Sequence, residues 1–214
     1  MAEPVQLYAM PISHWCVSAD RMLAFKGVPF ESLYVAYHDK ADLIAATGQD
    51  YVPTLMWDGE AVMWYDIPDF LERKVPEPPL YPDGWRGVAV ALERWSHAVV
   101  EEAVWRYVVT QVPPILRDDH ERWVFEEMQV KGRGPWHVLE ARRDEFREGM
   151  MEELRRIESM LDGKEWVLGD PSLADFGLYG SVSPLLTVGE DIPSSLPHLN
   201  AWANRIRKLG TQTS

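Results

Sequence analysis

The chain has 214 residues, of which 46% are hydrophobic and 26% are charged, a composition typical of globular proteins. Asp and Glu number 34 against 21 Lys and Arg, and the resulting net charge of −13 argues against a surface that follows nucleic-acid phosphates. No apolar run approaches the roughly 20 residues that a helix needs to cross a bilayer. We therefore expect a soluble protein with neither nucleic acid nor membrane among its partners.

Cysteine content and the first residues predict the compartment. Cys16 is the only cysteine, which excludes an internal disulfide and any metal site built from several thiolates. Residues 1–5 have neither the basic region nor the continuous apolar segment of a secretory signal. We expect a cytoplasmic protein without a bound metal.

Residues 1–74 consist of short alternating elements and predict a small α/β domain. Apolar alternation favours strands, Gly27-Val28-Pro29 ends a helical stretch, and Asp58-Gly59 predicts a tight turn between two strands. The predicted order is β-α-β-α-β-β-α. The strands are expected at 5–10, 30–36, 54–57 and 61–64, and the helices at 16–26, 39–46 and 66–73.

Residues 75–84 predict a linker between two domains. The segment 75–82 holds four prolines in eight residues, which cannot continue a helix and favour an extended connector. Beyond it, residues 85–214 show a helical period and predict an all-helical bundle. One helix face is indicated by Val88, Leu92, Trp95 and Val99, and another by Phe146, Met150, Leu154, Ile157 and Leu161.

One helix of this bundle is predicted to begin at Ser172. Ser172-Leu173-Ala174-Asp175 has the pattern of a capping box, in which the first and fourth residues satisfy main-chain N–H groups of the first turn. The five residues that follow, 176–180, carry no charge, so we expect this helix to be buried.

Several segments resemble, in order, the landmarks of one protein family. They are Leu7-Tyr8, Pro11, Ser13-His14-Trp15-Cys16, Val52-Pro53-Thr54-Leu55, Leu80-Tyr81-Pro82, the segment 169–175 and the segment 197–202. From Leu7 to about Leu209, the chain is similar to the glutathione transferase superfamily, and to its serine-type branches in particular. The resemblance implies a thioredoxin-like N-terminal domain, an all-helical C-terminal domain, glutathione as co-substrate, an apolar electrophile as second substrate, and a homodimer.

The resemblance places the catalytic hydroxyl at Ser13. A hydroxyl and the partial positive charge of a helix N-terminus both stabilise a thiolate, the nucleophile that attacks an electrophile. Capping of the first helix is the alternative role of Ser13. Tyr8 resembles the tyrosine that other branches of the family use as hydrogen-bond donor to the thiol. Packing as an aromatic residue of the core is the alternative role of Tyr8. Cys16 lies where thioredoxin-like redox proteins carry the second cysteine of a pair, with a buried apolar role as the alternative.

For the glutathione peptide, the resemblance implies contacts with His38, Lys40, Val52 and Pro53. His38 and Lys40 are candidates to meet the glycine carboxylate, with solvated side chains as the alternative for both. The main chain of Val52 is expected to make two hydrogen bonds with the cysteinyl unit, a role that requires Pro53 to be cis.

The chain departs from the family where the γ-glutamyl end should bind. Relatives carry an acidic or amide residue followed by Ser or Thr at the start of the third helix, and this sequence has no such pair. The equivalents are Met63-Trp64, Trp64-Tyr65 or Tyr65-Asp66, according to register. Tyr65 and Asp66 are the candidates, and Asp66 either holds the ligand's ammonium or caps the helix that follows.

Two functional hypotheses follow. The first is a glutathione transferase that conjugates the thiolate to an apolar electrophile in the cleft between the domains. The second is a non-catalytic binding module on the same fold, for another apolar or aromatic ligand or for a protein partner. Four aromatic residues of the helical domain are candidates to line the cleft, with core packing as the alternative: Trp105, Tyr107, Trp123 and Trp136.

Overall fold

A four-stranded mixed sheet organises the first part of the chain, in a computed structural model that describes residues 4–209. The strands lie in the order β2-β1-β3-β4, with β1 and β2 parallel and the other two pairs antiparallel. Their bounds are β1 Val5–Ala9, β2 Phe30–Tyr34, β3 Thr54–Trp57 and β4 Glu60–Met63. Positions 1–3 and 210–214 of the predicted domains lie outside the described residues.

Three helices cover the two faces of this sheet. They are α1 His14–Phe25, α2 Ala41–Thr47 and α3 Ile67–Lys74. Alternation along β1 sends Leu7 into the main core with α1 and α3, and sends Tyr8 into a second core with Leu43 of α2. The predicted order β-α-β-α-β-β-α is confirmed, although α1 begins two residues before the expected start, at His14.

The second part of the chain is helical, which confirms the predicted fold class. A π-helical segment, Ser96–Val100, joins α4 to α5, and short 3₁₀ turns occur at Trp64–Asp66, Val109–Gln111 and Pro113–Ile115. The helices are α4 Arg86–Trp95, α5 Glu101–Val108, α6 Asp119–Arg133, α7 Trp136–Ala141, α8 Arg143–Met160, α9 Leu173–Thr187 and α10 Pro197–Arg207. None of the helices formed by residues 4–209 is long and apolar enough to span a membrane.

The face of α4 indicated by the large apolar residues is buried only in part. Val88 is 41% exposed and Val99 is 38% exposed, whereas Ala89 and Glu93 are buried. Close packing against α9 accounts for the burial of Glu93, because a Cβ added at Gly177 of α9 would lie 2.9 Å from Glu93 Cγ. Leu92 and Trp95 pack against the core in part, as expected, whereas Val88 and Val99 do not.

The buried helix α9 holds the two domains together. Gly180 is packed so closely against α1 that an added Cβ would lie 2.5 Å from the carbonyl oxygen of His14. The hydroxyl of Ser18 in α1 donates to Phe176 O at 3.0 Å. The start of α1 is thus positioned by a helix of the C-terminal domain.

The predicted capping box at the start of α9 is confirmed. The N–H of Ser172 donates to Asp175 Oδ2 at 3.0 Å, and the Ser172 hydroxyl donates to the same oxygen at 2.8 Å. Asp175 is fully buried, and its other oxygen accepts from Val167 N–H at 3.0 Å and from the indole of Trp202 at 2.9 Å. The buried carboxylate is therefore satisfied by donors from three parts of the chain.

Candidate functional site

Ser13 stands at the N-terminus of α1 without capping it. Its main chain is extended, with φ −76° and ψ 118°, and among the described N–H groups none donates to its side chain as a cap. The main chain is held at both ends, because Ser13 N–H donates to Met10 O and Val17 N–H donates to Ser13 O, each at 3.0 Å. The hydroxyl is therefore not committed to the cap, which was the alternative role expected for this serine.

The thiol of Cys16 is buried beside Ser13. Its side chain is 2% exposed, and Met10 N–H donates to the sulfur at 3.4 Å. Burial raises the pKa of Cys16 to about 11, and the hydrogen bond with Ser13 acts in the opposite direction. The thiol is protonated at neutral pH, which is the unreactive form of a cysteine.

The Val52–Pro53 peptide bond is cis, as expected from the sequence. In the antiparallel pairing of β1 with β3, Tyr8 lies opposite Thr54. The loop that carries Ser13 therefore begins at the same end of the sheet at which β3 begins, directly after Val52–Pro53. Ser13, Val52 and Pro53 are therefore candidates for one site.

Trp64 occupies part of this site. Its indole Nε1–H donates to the carbonyl oxygen of Val52 at 2.9 Å. Its φ is +43°, a left-handed conformation that is rare for a bulky residue. Trp64, one of the residues expected near the family's acidic or amide position, thus contacts the main chain expected to bind the cysteinyl unit.

Trp64 belongs to an aromatic cluster formed by Trp15, Tyr51, Trp64, Tyr65 and His97. Trp15 stacks on His97 with ring centroids 3.5 Å apart and on Trp64 at 6.0 Å. Tyr65 meets Trp15 edge-on at 4.6 Å, and Tyr51 meets Trp64 edge-on at 5.2 Å. The aromatic cluster runs from the cis peptide to the π-helical segment Ser96–Val100 and so crosses from one domain to the other.

The remaining residues predicted to bind glutathione lie around this cluster or away from it. Lys40 Nζ donates to Asp50 O at 2.7 Å and lies over the ring of Tyr51, at the edge of the cluster. His38 is exposed and contacts His120 of α6, with ring centroids 4.4 Å apart.

Asp66 and Tyr65 are both exposed at the start of α3. Asp66 takes the N-cap position, and its side chain accepts no capping hydrogen bond from the described first turn. Its carboxylate is therefore accessible to a ligand. Tyr8, by contrast, is 7% exposed and packs in the second core with Leu43.

The four aromatic residues expected at the second-substrate cleft are dispersed. Trp105 and Tyr107 are buried in the core of the helical domain, where Trp105 Nε1 donates to Gln129 at 3.1 Å. Trp136 is partly buried against the same core, and Trp123 is 59% exposed. The structure does not place these four side chains together in the part of the chain that it describes.

Sequence reasoning missed His14 and His97, which face each other across the domain boundary. Their ring centroids are 4.9 Å apart. Glu93 lies four residues before His97, a helical spacing that brings two side chains together and that could have drawn attention to this pair. The contact between His14 and His97 joins residues far apart in the chain, so no local sequence pattern predicts it.

Cavities and metal-ligating residues add little to the site. A cavity of about 510 Å³ lies between α1 and α9, lined on its polar side by Asp20, Arg21 and Arg207, but neither Ser13 nor Val52 is among its described lining residues. Within residues 4–209, no group of three or more His, Cys, Asp or Glu side chains could hold a metal ion.

Two family models match the chain over most of its length. Glutathione S-transferase, N-terminal domain, matches residues 7–79, and glutathione S-transferase, C-terminal domain, matches residues 110–209. The chain belongs to the glutathione transferase superfamily. The resemblance noted in the sequence is confirmed.

Solved structures have the same fold as this superfamily member. Glutaredoxin 2 from Salmonella typhimurium in complex with glutathione has a TM-score of 0.78 at 17% identity, over 99% of this chain and 97% of that one. Glutathione transferase GSTFuA3 from Phanerochaete chrysosporium has 0.79 at 19% identity, over 98% and 97%. A glutathione S-transferase of Ceriporiopsis subvermispora in complex with glutathione has 0.77 at 18% identity, over 97% and 95%. No curated protein matches this glutathione transferase relative in sequence.

Proposed function

We propose that the protein is a glutathione transferase that joins the thiolate of glutathione to an apolar electrophile. The observation that carries the proposal is the place of the Ser13 hydroxyl, which lies at the N-terminus of α1 and makes no capping hydrogen bond. This is the end of the sheet where the cis Val52–Pro53 bond lies. Two matching family models and structural relatives solved in complex with glutathione support it.

In this proposal Ser13 stabilises the thiolate of glutathione. When glutathione binds, the Ser13 hydroxyl gives up its hydrogen bond with the Cys16 thiol and forms one with the glutathione sulfur instead. The N-terminus of α1 adds a partial positive charge of about half a unit. The thiolate then attacks the electrophilic carbon, a C–S bond forms, and the leaving group departs with its electron pair. The protein forms no covalent intermediate.

Main-chain and charged groups hold the rest of the tripeptide. We assign the cysteinyl unit to the main chain of Val52, beside Pro53, and the glycine carboxylate to Lys40, which stands at the edge of the aromatic cluster. Asp66 is exposed at the start of α3 and is assigned to the γ-glutamyl ammonium. His38 contacts α6 instead and is a candidate for the carboxylate only if it moves with the ligand.

The aromatic cluster favours a second candidate, a binding module for another apolar or aromatic ligand. Its rings fill the space next to Val52, and Trp64 already donates to the carbonyl oxygen there. Calorimetric titration with glutathione separates the two candidates. Micromolar binding together with conjugate formation from chlorodinitrobenzene supports the transferase, and absent or millimolar binding without conjugate supports the module.

We also propose that the protein is a homodimer in a reducing, cytoplasmic compartment. The exposed apolar side chains of Trp85, Val88 and Val99 on and next to α4 support a partner surface. The single, buried Cys16 supports the compartment. Sedimentation that gives a 24.6 kDa particle at micromolar concentration contradicts the dimer.

A further inference from the structure

A cavity of about 450 Å³ lies between the sheet, α2 and the turn before α6. This volume is in the usual range of small-molecule sites. Val35 and Leu43 of the second core form part of its wall and give it an apolar floor. Neither Ser13 nor Val52 is among its described lining residues, so the cavity is separate from the proposed glutathione site.

Opposite charges line this cavity without pairing. Arg117 lines it from the turn before α6, and Asp39 and Asp42 line it from the beginning of α2 and the residues just before that helix. None of the three forms an ion pair within residues 4–209. Asp39 Oδ1 accepts from Ala41 N–H at 3.0 Å, whereas the Asp42 carboxylate accepts from no described residue. A molecule with a cation at one end and an anion at the other complements both signs at once.

The guanidinium of Arg117 is held in place by stacking. Its Cζ lies 3.3 Å from the ring centroid of Tyr34, whose hydroxyl donates to the buried Glu121 at 2.7 Å. The main-chain N–H of Arg117 donates to Glu121 as well, at 3.0 Å. Stacking uses the face of the guanidinium and leaves the N–H groups in its plane for a carboxylate, which they bind in pairs.

The hydroxyl of Tyr8 adds another donor to the same cavity. Tyr8 lines the cavity and is only 7% exposed, and its hydroxyl has no hydrogen-bond partner in the part of the chain that the structure describes. Polar groups of mostly buried side chains are rarely left without a partner and call for an explanation. A ligand carboxylate accepts from a phenol as well as from a guanidinium.

We propose that this cavity binds a free amino acid with an apolar side chain. Arg117 and Tyr8 hold its carboxylate. Asp42 holds its ammonium group, with Asp39 beside it, and the apolar side chain lies on the floor of the cavity. The inference does not rest on the proposed function, because neither glutathione nor Ser13 takes part.

Calorimetric titration with three related probes tests the demand for both charges. L-Phenylalanine carries both, 3-phenylpropionate lacks the ammonium group, and 2-phenylethylamine lacks the carboxylate. We expect the wild type to bind phenylalanine with a Kd below about 1 mM, and to bind each of the other probes about tenfold more weakly, as for one lost charged hydrogen bond. Saturating glutathione should not displace phenylalanine.

Two variants locate the two ends of the ligand. Arg117→Gln should weaken binding of phenylalanine about tenfold but leave that of phenylethylamine unchanged, because the amine has no carboxylate to lose. Asp42→Asn should weaken binding of phenylalanine by a similar factor but leave that of phenylpropionate unchanged. The matched controls are Arg147→Gln and Asp144→Asn, at exposed sites of α8 outside the described lining, which should bind all three probes like the wild type.

Tyr8→Phe is the further variant, in case Arg117→Gln does not fold. Loss of the hydroxyl should weaken binding of phenylalanine and phenylpropionate about fivefold and leave that of phenylethylamine unchanged. Absent binding of phenylalanine at millimolar concentration, equal affinity for the three probes, or equal losses in the controls overturns the inference. Displacement by glutathione also overturns it, because the two ligands would then share one site. Absent binding of glutathione in the same titrations overturns the proposed transferase alone, so the two failures are distinguishable.

Discussion

The indole Nε1–H of Trp64 donates to the carbonyl oxygen of Val52 at 2.9 Å, so a side chain of the protein engages a main-chain group proposed to bind glutathione. Trp64 does so with φ at +43°, a conformation that costs on the order of 1–3 kcal/mol and persists only when the surroundings hold it. Stacking on Trp15 and an edge-on contact with Tyr51 supply those surroundings. The ligand must therefore compete with an internal hydrogen bond.

Replacing the indole should strengthen glutathione binding. Trp64→Phe keeps an aromatic ring but removes the N–H donor, which frees Val52 O for the peptide. A hydrogen bond of this type is worth about 1 kcal/mol, so we expect roughly fivefold tighter binding by calorimetric titration. Trp85→Phe, at an exposed indole outside the site, is the control and should bind like the wild type. Equal or weaker binding by Trp64→Phe would show that the indole does not compete.

Removing the hydroxyl of Ser13 should slow conjugation without weakening binding. We expect Ser13→Ala to lower kcat by about 100-fold, as for the loss of one donor to a developing or stabilised anion. The ultraviolet absorbance of bound thiolate should fall with it. Ser13→Thr retains a hydroxyl and should recover part of the rate. An unchanged rate in Ser13→Ala would remove Ser13 from the mechanism.

The contact of Gly180 with α1 predicts a large effect of one added methyl group. In Gly180→Ala, the new Cβ would meet the Ser18 hydroxyl and His14 O, so the free energy of unfolding should fall by about 1–3 kcal/mol or more. Gly149→Ala in α8 is the matched control, because no described atom lies within 4 Å of its added Cβ. There the change should stabilise the helix by about 0.5–1 kcal/mol. Urea unfolding of both variants measures the difference.

Glu101 makes stability depend on pH. Burial raises the pKa of its carboxyl from 4.5 to about 7, against the opposing charge of Arg133. Between these two pH values the unfolded chain releases the proton while the folded chain retains it, so the contribution to stability falls as pH rises from about 4.5 to 7. Glu101→Gln should therefore gain stability relative to the wild type at pH 8 but not at pH 4.5.

Urea unfolding at the two pH values tests this prediction, since other titrating groups cancel in the comparison of variant with wild type. The control is Glu140→Gln at an exposed site of α7, whose difference from the wild type should not depend on pH. The same behaviour in both variants would show that Glu101 ionises normally in the folded protein.

Glu121 of α6 should be sensitive to loss of charge, because its carboxylate links the two domains. It is fully buried and accepts from the Tyr34 hydroxyl at 2.7 Å, from Tyr37 N–H at 3.1 Å and from Arg117 N–H at 3.0 Å. The amide of Glu121→Gln presents one group that cannot accept, so a main-chain donor loses its partner. We expect a loss of about 1–3 kcal/mol in urea unfolding. Glu126→Gln on the same helix should be neutral.

The parts of the fold that could be predicted are those with local signals. Asp58-Gly59 marks the β3–β4 turn, and Ser172 with Asp175 marks the start of α9, because each motif satisfies its own main chain within a few residues. The buried face of α4 could not be predicted in this way. It includes Glu93, which contacts Gly177 on a distant helix, and the pattern of large apolar residues indicated a neighbouring stripe that is only partly buried.

In the candidate site, too, the features with a local sequence signal could be predicted and those set by tertiary packing could not. Ser13 and Pro53 stand in short motifs, so their places at the start of α1 and before β3 could be expected. The hydrogen bond from Trp64 to Val52 and the contact of His14 with His97 depend on side-chain directions and on packing between domains. Neither contact follows from a hydrophobic periodicity or a residue spacing that can be seen in the sequence.

Asp175 accepts hydrogen bonds from the segment before α9 and from Trp202 of α10. A protease cut between α9 and α10 that released the last helix would leave this buried oxygen short of a donor, at a cost comparable to that of an unpaired polar group in the core. We therefore expect the nicked protein to unfold around α9 rather than persist as a shorter folded chain, and α1, which packs on α9, to lose its support.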